Sequence, residues 1–132
     1  MRTLALILLL LAPLVSRGAD RAQASNGTLD GHAAFYDLSK TEATEKAKVM
    51  ALADFEQGRY RILVFGLRRT ESPREIQLKE RYGVATTAIA GCVVSPGIVA
   101  AAEGYNSTMK PLLNRKFGRD IFEETAGPAT KR

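Results

Sequence analysis

The chain has 132 residues, 45% hydrophobic and 25% charged, which suits one globular domain and excludes a disordered polypeptide. The net charge of +5 falls to +3 without residues 1–24, because that segment holds three arginines and one aspartate. The remaining basic residues are interspersed with acids rather than gathered in a stripe, so no nucleic-acid partner is expected.

Met1 to Ala24 has the grammar of a cleavable signal peptide. Arg2 gives a short positive start, and Leu4 to Val15 is apolar apart from the break at Pro13. That run is shorter than the roughly 20 residues of a membrane span. Ala22-Gln23-Ala24 offers a cleavage site after Ala24, and an earlier one lies after Gly18. The expectation is an exported protein, periplasmic or secreted, with no stable membrane insertion after cleavage.

Residues 25–38 read as a loose arm or an edge strand. Ser25 to Gly31 is turn-rich, whereas His32 to Leu38 could be a third strand or the approach to a helix. Residues 39–125 read as a single α/β domain. Ser39 and Glu42 form a capping box before a helix reaching Gln57, with Gly58 as its stop. Ala43, Ala47, Met50, Ala51 and Phe55 share one face of it, and Asp54 interrupts that face. The small side chains suit close packing against a sheet.

Gly58 to Gly97 is the centre of the chain. Arg59 to Phe65 is rich in β-branched and aromatic residues and ends at Gly66. A second helix, Pro73 to Tyr82, opens on the capping box of Ser72 and Glu75 and stops at Gly83. Its charged residues suit a solvated face. Val84 to Val94 is a near-continuous apolar run, which fits a strand buried on both faces. Two strands separated by such a helix make a βαβ unit with a right-handed crossover and parallel pairing. The alternative is an antiparallel pair spaced by the same helix.

A third helix opens at Ser95-Pro96 and runs toward Phe117, with Gly118 as its stop. Ile98, Ala102, Tyr105, Met109 and Leu112 form its apolar stripe. Pro111 should kink or divide it, since proline cannot donate to the Ser107 carbonyl. Ala126 to Arg132 has the composition of a frayed tail.

The fold class is therefore α/β: a small α-β-α-β-α domain with a short parallel sheet. Two strands alone make a marginal sheet, so a third strand, a protein partner or a homodimer is expected to complete it.

Ligands of open α/β sheets bind beyond the carboxyl ends of the strands. That rim holds Gly66, Arg68, Arg69 and Thr70 after the first strand and Ser95 and Gly97 after the second. Two arginines and two helix N-termini there suit an anion. Glu103, Tyr105 and Asn106 form a further polar cluster on the third helix. Cys92 is the one cysteine, which excludes an intrachain disulfide, and its apolar run predicts a buried, unreactive thiol. No Cys and His spacing suits zinc, and no Walker loop, G-x-S-x-G elbow or H-E-x-x-H helix is present. No cofactor, metal or catalytic set is assigned. Asn26-Gly27-Thr28 and Asn106-Ser107-Thr108 match the N-glycosylation pattern, the second within an expected helix. Three readings follow: a binding or accessory module with an anion site on the rim, a self-associating interaction protein, or a small enzyme drawing on Cys92, Glu103, Tyr105 or Asn106.

Overall fold

A computed structural model describes residues 31–67 and 70–126. The signal segment, the Asn26 pattern, Arg68, Arg69 and residues 127–132 lie outside the described residues. Among the described residues the chain is mixed α/β: α1 (Gly31–Phe35), α2 (Lys40–Glu56), β1 (Arg61–Phe65), α3 (Pro73–Tyr82), β2 (Ala85–Ala90), α4 (Pro96–Phe117) and α5 (Ile121–Glu124).

The helix starts follow local chemistry. In α2 the Ser39 hydroxyl accepts from the Glu42 amide while the Glu42 carboxylate accepts from the Ser39 amide at 3.1 Å. Ser72 and Glu75 repeat the arrangement at α3, where Glu75 accepts from the Ser72 amide at 2.7 Å. Ser95 caps α4 with Pro96 following it. Gly83 ends α3 at a φ of 67°, a left-handed conformation that glycine adopts without strain.

β1 and β2 pair in parallel, with Arg61 opposite Ala85 and Val64 opposite Ala88. The register shifts between Val64 and Phe65, so that Phe65 lies opposite Ala90. The 19-residue connection from Gly66 to Val84 carries α3, long enough for the crossover a parallel pair requires.

One face of the sheet is dry. Leu63, Ala85, Thr87 and Ile89 are buried, and α4 packs across β1 and β2 on the side that bears them. Ile98, Tyr105, Met109 and Leu113 of α4 are fully buried. Each aliphatic side chain enclosed this way contributes about 1.5–3 kcal/mol of transfer free energy. The opposite face is thinly covered, with Ile62, Val64, Thr86 and Ala88 half-buried beneath α3 and α5.

Several expectations are corrected. Gly31–Phe35 is helical, not a third strand; Phe35 enters the core from that helix. β2 ends at Ala90, well before Val94, because Gly91 to Val94 leaves the ladder and turns toward α4. The small face of α2 packs against α4 rather than the sheet. Ala43, Ala47 and Ala51 are completely enclosed, and a Cβ on Gly104 would lie 2.9 Å from the Thr44 carbonyl oxygen. Backbone proximity at Gly104 is what the alanine stripe makes room for. Pro111 does not divide α4, which continues from Pro96 to Phe117. Pro111 itself is exposed, where the freed Ser107 carbonyl can be met by water. Leu112 is half-buried, and Leu113 takes the core position.

Candidate functional site

Among the described residues the rim expected to bind a ligand is largely apolar. Phe65 ends β1 and Leu67 follows it, Val93 and Val94 follow β2, and Val99 lies in the first turns of α4; all are exposed, Leu67 by 78% and Val93 by 56%. The two post-strand segments touch: a Cβ on Gly91 would meet the Leu67 side chain at 3.4 Å. Thr70 is exposed on the same connection. Arg68 and Arg69 lie in sequence between Leu67 and Thr70.

Beside this rim is an open groove of about 470 Å³ between the start of α2 and the start of α4, lined by Lys40, Val94, Ser95, Pro96, Val99 and Glu103. It therefore offers an apolar wall with one cation and one carboxylate.

The α4 N-terminus is already in use. The Ser95 hydroxyl accepts from the Ile98 amide at 3.3 Å, and the Ser95 carbonyl accepts from the Val99 amide at 3.1 Å. Gly97 is buried, and a Cβ there would lie 2.6 Å from the Leu38 carbonyl oxygen and closer still to that of Phe35. The close approach that glycine permits at this position is taken by the chain's own backbone.

Tyr105 and Asn106 point away from the groove. Asn106 accepts from the Leu63 amide at 2.9 Å and donates to the Leu63 carbonyl at 2.8 Å. A side-chain amide thus takes the place of a neighbouring strand at the outer edge of β1. This use of the amide also occupies the nitrogen of the second glycosylation pattern.

The Tyr105 hydroxyl donates to Asp54 Oδ2 at 2.8 Å and accepts from Arg61 Nε at 3.2 Å. Arg59 Nη2 donates to Asp54 Oδ1 at 2.7 Å, and Arg61 Nε donates to Oδ2 at 2.9 Å. Burial pushes the Asp54 carboxyl upward, but the Tyr105, Arg59 and Arg61 bonds outweigh it and hold the group below the usual carboxylate range. Burial raises the Tyr105 phenol far above its ordinary value, so it stays protonated as a donor. Sequence reasoning saw Asp54 only as a break in the stripe. The signal was there: an acid on the apolar face, followed across Gly58 by Arg59 and Arg61.

Cys92 is exposed, contrary to the expectation of a buried thiol. The physical reason is the early end of β2, which places Cys92 in the connection beyond the sheet. Glu103 is also exposed, on the groove wall. Among the described residues no group of three or more His, Cys, Asp or Glu side chains could hold a metal ion. Among them, too, no helix is long and apolar enough to cross a membrane.

The sequence matches no protein-family model, no curated protein and no solved structure.

Proposed function

We propose that this chain is an exported binding or accessory module whose ligand surface is the rim beyond the carboxyl ends of β1 and β2. The observation that carries this reading is the gathering of Phe65, Leu67, Val93, Val94 and Val99 at that one end of the sheet, all exposed. Exposed apolar residues that cluster, rather than scatter, mark interaction surfaces. The adjoining groove brings one cation, Lys40, and one carboxylate, Glu103, to that surface. Arg68 and Arg69 belong to the same connection in sequence. The ligand class is accordingly a molecule with an apolar body and an anionic group. Tyr105 and Asn106 commit their polar atoms to the fold, which favours binding over catalysis on this helix.

The test uses decanoate, acetate and inorganic phosphate as probes of the melting temperature. Decanoate should raise it, acetate should not, and the shift should shrink in Lys40→Ala and in Val99→Asp. Equal behaviour of decanoate and acetate, or an undiminished shift in both variants, would overturn the reading. A shift with phosphate alone would assign the rim to a simple anion instead. Export is tested separately by sequencing the N-terminus of extracytoplasmic protein, which should begin at Ser25 or Ala19. A second reading, self-association, is favoured by a different feature, the outer edge of β2.

A further inference from the structure

The two edges of the sheet are treated differently. In a parallel ladder each residue directs its N–H and C=O to the same side, and successive residues alternate sides. The Ala85 amide donates to the Tyr60 carbonyl at 2.9 Å, so Ala85 and Thr87 face β1. Thr86 and Ala88 therefore face outward. The same alternation turns Leu63 outward on β1, where Asn106 takes both of its backbone groups. Nothing equivalent serves β2: among the described residues, no group bonds the outward amides or carbonyls of Thr86 and Ala88. Both residues are half-buried rather than enclosed. The strand carries no lysine, proline or other charge, the devices that ordinarily discourage pairing at an edge.

We propose that the outer edge of β2 pairs with the same edge of a second copy of this chain, forming one continuous sheet across a twofold axis. Pairing of identical edges is isologous and therefore antiparallel. With the axis at Thr87, Thr86 lies opposite Ala88 of the partner subunit, and each exchanges both backbone bonds with the other. The side chains of β2 are threonine, alanine and isoleucine, so the edge has no charge pattern for a foreign strand to complement. A sheet of two strands is below the number that is independently stable, and joining two copies doubles it. Asn106 occupies Leu63, the central outward residue of the other edge, so no strand can pair continuously there and assembly stops at the dimer instead of propagating into a fibre. This inference does not rest on the rim reading.

The test combines sedimentation velocity over a range of concentrations with amide hydrogen exchange on the protein as purified. A dimer is expected, with the Thr86 and Ala88 amides protected in proportion to dimer population. Ala88→Pro removes an outward N–H that β1 does not use; it should give a folded monomer with unchanged circular dichroism. If that variant fails to fold, exchange in the wild type still decides. A monomer at all concentrations, a dimer that survives in folded Ala88→Pro, or a dimer whose Thr86 and Ala88 amides exchange freely would each overturn the proposal.

Discussion

The Tyr105 hydroxyl of α4 donates to the Asp54 carboxylate of α2 at 2.8 Å, inside the interface between the two helices. Asp54 is 2% exposed at its side chain and has Arg59 and Arg61 on its two oxygens. This ties α2, the chain entering β1 with its first residue, and the middle of α4 to one buried group.

Replacing that group leaves its partners stranded. Asp54→Ala should destabilise the fold by about 3 kcal/mol, because it leaves the half-buried Arg61 and the buried Tyr105 hydroxyl without their acceptor. Tyr105→Phe should cost less, about 1.5–3 kcal/mol, the worth of a hydrogen bond to a charged acceptor. Urea denaturation of both variants gives the ranking, and a near-neutral Asp54→Ala would show that the network does not hold the helices.

The same carboxylate sets an acid limit. Its folded-state pKa is depressed, so its contribution is complete above the unfolded value of about 4 and is lost as pH falls through the lower folded value. Glu42 and Asp120 act in the same direction, held low by the Ser39 hydroxyl and by the Glu123 amide respectively. Stability measured by denaturant midpoint should be flat from neutral pH down to the carboxylate range and then fall. In Asp54→Asn the fall should be shallower; an identical slope would place the acid sensitivity elsewhere.

Asn106→Ala should destabilise by about 1–3 kcal/mol, since it strips both partners from the Leu63 backbone. Asn106→Asp keeps an acceptor for the amide but sets a carboxylate against the Leu63 carbonyl, so it should not rescue. A chemical denaturation series checks both. Equal stability of the aspartate variant and wild type would contradict the amide's double role.

Native Cys92 should be labelled by a maleimide without denaturant, because its connection leaves it exposed. Labelling that accelerates several-fold on denaturation would contradict this placement.

The elements that could be read from the sequence are those fixed by neighbours in the chain. Ser39 with Glu42, Ser72 with Glu75, and Gly83 act within one turn, and each sits where its local chemistry puts it. The parallel pairing followed from the length of the connection between the strands. What was illegible depended on distant partners. Nothing local to Asn106 reveals Leu63, 43 residues away. Gly97 reads equally as an opening for a ligand or for backbone, and only the position of Phe35 and Leu38 assigns it to backbone. The Val84 to Val94 run looked like one buried strand because its apolar residues serve two purposes: Ile89 and Ala90 enter the core, while Val93 and Val94 line the rim.

The most direct test of the rim as a binding surface is a ¹H–¹⁵N correlation titration of the wild type with decanoate. Shifts should concentrate at Lys40, Leu67 and Val93 to Val99, around the groove and the exposed apolar cluster. A footprint centred instead on Ile62, Val64, Leu78 and Phe122, the smaller groove on the opposite face, would contradict the account, as would a spectrum that does not change.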